Sequence, residues 1–243
     1  MLNSIIITTF NRPQLLKFGL QSLAKQGFVD TEIIVLNDGN PNDGTDQVCN
    51  ESGLDIKYFA AKHNAGWRCP SYAINFGVKQ AKGKNIFISC AEIYHMGSTI
   101  AQMEQILNNK EVLLTPNIGK DDNGSILNLL NNNKEISNND IKLLPKLNIQ
   151  LPFFMGLHKS LFEAIGGYDE DFIGMGYDDN DFVDRILMTG TQLKTVSSSI
   201  VHIYHERLAF DTPEIKQKFN YNQHLYQTRK NIIRNKDGWG NKF

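Results

Sequence analysis

The sequence predicts an α/β fold, with a mixed, mostly parallel central sheet and helices on both faces. Three observations carry this expectation. Short apolar runs rich in β-branched residues alternate with stretches of helical periodicity through residues 1–115. The runs are too short for helices, and turn-forming residues bound them. Strand–helix alternation of this kind requires crossover connections, hence parallel neighbours.

The elements follow in order. Ile5-Ile6-Ile7-Thr8-Thr9 reads as a strand, closed by Asn11 and Pro13. Pro13 suits the first position of a helix, and Leu16, Leu20 and Leu23 recur behind it at helical spacing. Glu32 to Leu36 is a second strand, and the turn-rich loop 37–44 leads to a short helix and a strand at Ile56 to Phe59. Tyr72 to Ala81 is a helix, Asn85 to Ser89 a strand, Ser98 to Leu107 a helix and Val112 to Leu114 a strand. The Asn-rich stretch from Pro116 to Asn148 loses periodicity and reads as a mobile loop or insertion. Order returns at Leu151. Ser160 to Ile165 is a short helix ended by Gly166-Gly167, Asp178 to Met188 a helix, and Ile200 to Tyr204 a strand. The tail is helical from Pro213 and ends around Gly238-Trp239-Gly240. The expected division is 1–115, 116–210 and a basic, aromatic tail at 211–243, within one domain.

Bulk properties narrow the function classes. The chain has 243 residues, 41% of them hydrophobic, and a net charge of −1. That is enough apolar material for a core, and it gives no electrostatic case for nucleic acid. No run approaches the ~18 apolar residues of a membrane span. The apolar start at Leu2 to Ile7 lacks a basic flank and reads as a strand rather than a signal peptide. Cys49, Cys69 and Cys90 match no metal or disulfide framework, so free thiols in a reducing cytoplasm are expected. Lys216, Arg229 and Lys230 lie among Phe219, Tyr221 and Tyr226 in the tail. They offer peripheral membrane contact as an alternative to a helix lying across the body with its charges in water.

The chemistry concentrates in Gly166-Gly167-Tyr168-Asp169-Glu170-Asp171-Phe172 and Gly174-Met175-Gly176-Tyr177-Asp178-Asp179-Asn180-Asp181. One carboxylate satisfies a helix N-terminus; three crowded there repel one another unless something meets them. Asp181 and Arg185, at i and i+4, read as an internal pair. This stretch resembles the acceptor-side signature of inverting GT-A glycosyltransferases, as in glycosyltransferase family 2 and the β-1,4-galactosyltransferases. By that resemblance Asp179 stands at the catalytic base, Asp178 at the family's glutamate, and Met175 at its usual tryptophan.

The first half is similar to the same family. Thr8-Thr9-Phe10-Asn11-Arg12-Pro13 resembles the first-strand motif that holds the nucleotide base, with Thr8, Thr9, Phe10 and Asn11 as its candidates, and Asp38 stands at the second aspartate of Asp-Asp-Gly-Ser. Asn64-Ala65-Gly66-Trp67-Arg68 through Asn75-Phe76-Gly77 resembles the segment over the donor phosphates. Gly66, Arg68 and Asn75 are its candidates. The family closes its fourth strand with Asp-x-Asp, which holds a divalent metal; here Ser89-Cys90-Ala91-Glu92 stands there. Glu92 with His205 or His202 is the remaining metal candidate, suited to Mn²⁺ better than Mg²⁺. Period-2 alternation sets His202 and Tyr204 on one strand face and His205 on the other side or in the following loop.

The resemblance implies transfer of a sugar from a nucleoside-diphosphate sugar, UDP first, to a glycan or glycolipid hydroxyl with inversion. Two other classes stand beside it. A catalytically silent relative would bind glycans or act as a scaffold. A nucleotidyltransferase would need a glycine-rich basic loop where Thr8-Thr9-Phe10-Asn11-Arg12 stands.

Overall fold

A computed structural model describes residues 2–62, 68–147, 153–206 and 212–243. The chain runs β1 (Asn3–Thr9), α1 (Pro13–Ala24), β2 (Thr31–Asn37), α2 (Thr45–Glu51), β3 (Ile56–Ala60) and α3 (Ser71–Gln80). It continues through β4 (Asn85–Cys90), β5 (Ile93–His95), α4 (Thr99–Leu107), β6 (Val112–Lys120), α5 (Ser125–Asn131) and α6 (Asn138–Lys142). It closes with β7 (Phe154–His158), α7 (Lys159–Ala164), α8 (Asp178–Met188), β8 (Gln192–His202) and α9 (Pro213–Thr228).

Among the described residues, eight strands form one sheet in the order β3-β2-β1-β4-β7-β6-β8-β5. β3, β2, β1 and β4 run parallel to one another, as do β6 and β8. β7 runs antiparallel between β4 and β6, and β5 antiparallel beside β8. Alternation along β1 sorts the core. Ile5 and Ile7 pack with Leu16, Leu20 and Leu23 of α1, while Ile6 packs with Ala73 and Val78 of α3 and Phe182 of α8. Both faces are therefore covered, which is why these strands read as continuous apolar runs. β1 has a parallel neighbour on each side, so the chain reverses its direction of travel across the sheet there. The crevice at the carboxyl ends of β1 and β4 is where such sheets bind ligands.

Three sequence expectations change. The 116–148 stretch is not a plain loop: β6 continues to Lys120, and α5 and α6 follow. Ile126, Leu130 and Ile136 are buried against Leu15, Phe18 and Tyr94, a small apolar set hidden among asparagines. Ser137 and Asp140 cap α6 reciprocally. β8 starts at Gln192, well before Ile200, because its polar first half lies along β6. β5 has only three residues and forms through its partner β8, which no local pattern announces.

The tail closes the molecule rather than leaving it. Arg234 pairs with Asp169 at 3.0 Å and Asp181 at 2.9 Å, and Arg229 pairs with Asp169 and Asp171. Asp169, Asp181 and Arg234 are buried, so this group faces inward, whereas Arg229 is half-buried and Lys216 and Lys230 stay in water. Among the described residues, no helix is long and apolar enough to cross a membrane.

Candidate active site

The crevice opens as a cavity of about 450 Å³ whose wall combines both halves of the chain. Thr8, Thr9 and Phe10 reach it from the end of β1, Ser89 and Cys90 from the end of β4, and Asp38 from the loop after β2. The backbone N–H of Asp38 donates to Thr9 O at 2.9 Å, which sets that loop against β1. Asn11 does not line the cavity. It takes a left-handed φ of 54°, and its Oδ1 accepts from Asn40 N at 2.7 Å. A Cβ on Gly39 would come within 2.3 Å of that oxygen, so the close approach requires glycine. Asn11 thus shapes the Asp38 loop instead of facing a ligand. The hydroxyl of Thr9 is buried with no partner among the described residues.

Arg68 closes on Asp38, with Nε at 2.9 and 3.0 Å from the two carboxylate oxygens and Nη2 at 2.5 Å from Oδ1. Its guanidinium also lies over Tyr72, 4.9 Å from the ring centre. Gly66 and Trp67 lie outside the described residues. Asn75 lies away from the cavity. Its amide donates to Tyr168 O at 2.9 Å and Glu170 Oε1 at 3.0 Å, and its Oδ1 accepts from Tyr168 N at 2.9 Å. Asn75 is buried and ties α3 to the double-glycine loop, a positioning task rather than contact with phosphate. Gly167 has φ +69° and its Cβ would stand 2.6 Å from Asn75 Oδ1, so that clip also requires glycine.

Asp178 and Asp179 open α8 on the opposite wall, beside Tyr177, Met175 and Gly176. Tyr168 donates its hydroxyl to Asp179 Oδ1 at 3.1 Å, and the Cys69 thiol donates to Asp178 Oδ2 at 3.4 Å. Enclosure raises the pKa of Asp179 well above the usual carboxylate range. The adjacent Asp178 raises it further, and the Tyr168 bond only partly opposes this. Asp178 is also raised, chiefly by burial, with hydrogen bonds from Cys69 and backbone amides opposing. Asp181 points into the molecule, where Arg185 Nε meets it at 2.6 Å. The crowded triad therefore divides: one carboxylate is neutralised inside and two face the cavity.

Glu92 forms the floor between the walls, positioned as Ile203 N donates to its backbone carbonyl at 2.8 Å. Burial opposes its ionisation, but the charge and hydrogen bond of Arg12, a bond from Cys90, and His202 together hold its pKa below the usual value. Cys90, Glu92 and His202 bring their donor atoms within 4.8 Å of one another. His205 follows the end of β8 at His202; its ring centre lies 5.2 Å from that of His202, and both line the cavity. This is a poor cradle for a hard cation. The single carboxylate is engaged by Arg12. Burial and the Glu92 charge keep the Cys90 thiol protonated well above its ordinary range. Mn²⁺ and Mg²⁺ favour oxygen ligands, and of these the cluster offers one carboxylate, already paired with Arg12.

Two wall residues escape sequence reasoning. Arg12 sits in the Thr8–Pro13 stretch, but its ion pair spans eighty positions. Phe219 comes from α9 and packs on Tyr177 with ring centres 5.1 Å apart; its helix shows no motif.

Comparison with known proteins bears on the family and the fold. The model of "Glycosyl transferase family 2" matches residues 4–166, and "N-terminal domain of galactosyltransferase" matches residues 154–207. An uncharacterized glycosyltransferase of Rickettsia bellii is 32% identical over 160 residues, 63% of this chain and 22% of that protein. The GalNAc(5)-diNAcBac-PP-undecaprenol beta-1,3-glucosyltransferase of Campylobacter jejuni is 30% identical over 181 residues, 70% of this chain and 56% of that one. The chain thus spans about a fifth to about half the length of these two relatives. S. aureus TarS in complex with UDP-GlcNAc superposes with a TM-score of 0.65 at 18% identity, covering 90% of this chain and 64% of that one. GalNAc-T7 with UDP, GalNAc and Mn²⁺ gives 0.63 at 16%, covering 89% and 47%. These likenesses show the GT-A fold, and with the family match running from β1 to the double glycine, the chain belongs to glycosyl transferase family 2.

Proposed function

We propose that this chain transfers a sugar from a UDP-sugar to a hydroxyl of a glycan or glycolipid, with inversion and with Asp179 as general base. One observation carries the reading: a single cavity faces Asp178 and Asp179 across Thr8, Thr9, Asp38 and Glu92. The donor would enter at the carboxyl ends of β1 and β4. Asp38 and the unpartnered Thr9 hydroxyl offer hydrogen-bonding groups for the base. Solved structures of the same fold hold UDP and UDP-GlcNAc, which supports a uridine nucleotide.

In the reaction the acceptor oxygen attacks the anomeric carbon from the face opposite the leaving group. Its bond to carbon forms as the carbon–phosphate-oxygen bond breaks. The breaking bond's electron pair goes to the diphosphate oxygen, and the acceptor proton goes to the Asp179 carboxylate. A carboxylate with a raised pKa holds that proton well, so the environment of Asp179 suits a base. Asp178 sits where it can accept a hydrogen bond from the acceptor sugar. A silent glycan-binding relative would gain nothing from two carboxylates enclosed at such a cost in ionisation.

Asp179→Asn is expected to lower turnover by about 10²–10⁴-fold while UDP affinity stays within about twofold. Normal turnover by that variant would remove Asp179 as base. The donor base is read from thermal shifts with UDP, GDP, dTDP and CMP. A nucleotide at ~100 times its Kd adds about 2.7 kcal/mol. The anomeric configuration of the product, read by NMR coupling constants, decides inversion against retention.

A further inference from the structure

We infer that the Arg12 guanidinium takes the place of a divalent cation at the donor diphosphate, so that this site works without a metal ion. The inference rests on the donor-site reading above.

The position next to the Glu92 carboxylate, where a cation would bind, belongs to Arg12. The pair is asymmetric: the Glu92 side chain keeps 6% of its exposure and that of Arg12 keeps 28%. The carboxylate is thus the more enclosed partner, and both residues line the cavity. An arginine has five donors in a planar fork, so one edge can hold a carboxylate while another meets phosphate oxygens.

The rest of the wall leaves this task to few groups. Among the described residues lining the cavity, the arginines are Arg12 and Arg68, and no lysine is present. Arg68 is closed on Asp38 by three short contacts, on the side where the base is expected. Arg12 lies between the ends of β1 and β4, beside Cys90 and His202, where a bound diphosphate would pass. It stands at the N-cap of α1; its side chain has donors only, so it cannot cap the first N–H groups, and it pairs with Glu92. When the carbon–oxygen bond to the diphosphate breaks, the electron pair moves onto a phosphate oxygen. A fixed guanidinium stabilises that charge without moving, as preorganised charge does in general.

The test compares UDP and uridine binding by calorimetry in EDTA and in Mn²⁺, for the wild type and for Arg12→Gln/Glu92→Gln. The double variant avoids leaving a buried charge unpaired, and its folding is checked by circular dichroism. In the wild type, UDP affinity is expected to be equal in the two buffers within about threefold. The variant is expected to lose about 10–100-fold in UDP affinity and almost nothing for uridine, since only the diphosphate meets Arg12. UDP binding that needs Mn²⁺, or a loss shared equally by uridine and UDP, would overturn the assignment of Arg12 alone. If the wild type binds UDP in neither buffer, the donor-site reading falls and takes this inference with it.

Discussion

Asp179 must be ionised to accept a proton, yet enclosure and the neighbouring Asp178 oppose its ionisation. A raised pKa means the protonated fraction grows as pH falls, so kcat/KM is expected to decline on the acid side, through that raised value. Asp178→Asn removes a negative neighbour and lowers the pKa of Asp179. The acid limb of its pH profile should therefore move to lower pH, which a kcat/KM titration of both proteins checks. The same residue carries a stability cost. A carboxylate whose folded pKa lies above its unfolded value loses stability as pH rises through the folded value. Asp179→Asn should thus melt higher than the wild type near neutrality, at about 2–4 °C per kcal/mol for a domain of this size. The difference should vanish in acid, and melting curves across pH would show it. On the other wall, Asp38→Ala should weaken UDP binding by about 10–100-fold, the range for losing a bond to a charged group; unchanged affinity would refute its role.

At the scale of elements, α9 holds the acceptor loop. Asn222 is fully buried; its amide donates to Ile173 O at 2.7 Å, Gly176 O at 3.0 Å and Met175 O at 3.2 Å, and its Oδ1 accepts from Ile173 N at 3.0 Å. These four bonds fix the backbone that delivers Tyr177, Asp178 and Asp179. Asn222→Ala leaves the loop's polar groups without partners, at about 1–3 kcal/mol for a buried orphan. Such a variant should raise the acceptor KM and lower kcat while UDP affinity holds, which separates loop positioning from global damage. Arg234 acts similarly one step further back, between Asp169 and Asp181. Removing one member of a buried ionic group typically costs about 3–5 kcal/mol, so Arg234→Ala is expected to lower stability by that order in chemical denaturation.

For the whole molecule, the sheet is the organiser. β4 from the first half pairs with β7 from the second, and β5 crosses to β8. The donor and acceptor walls are therefore parts of one continuous sheet. The tail then seals the acceptor side: Gly240 N donates to Glu170 Oε1 at 2.6 Å, and Phe243 packs on Phe76 with ring centres 5.0 Å apart. A chain shortened to residues 1–211 loses the arginines that neutralise Asp169 and help neutralise Asp181. It should lack a cooperative melting transition by near-UV circular dichroism.

The sequence by itself determined the class of fold, because apolar runs of strand length separated by helical periodicity can bury their surfaces in few other ways. It also determined the Asp178–Asp179 placement, since three carboxylates in one helical turn demand an explanation within the local chain. Thr8, Asp38 and Glu92 were legible through the resemblance to the family's motifs, and each lies at or just past the end of a strand, where such sheets place their ligands. The tertiary structure alone decided the rest. Asn75 and Asn11 turn away from the cavity because their hydrogen-bond partners, Tyr168 and Asn40, are brought to them by the fold. Arg12 meets Glu92 only because β1 and β4 are neighbours, and Phe219 reaches Tyr177 only because α9 folds back. Local periodicity reports what a segment must bury. Which charged groups neutralise one another across the chain depends on contacts that exist only once the sheet has closed.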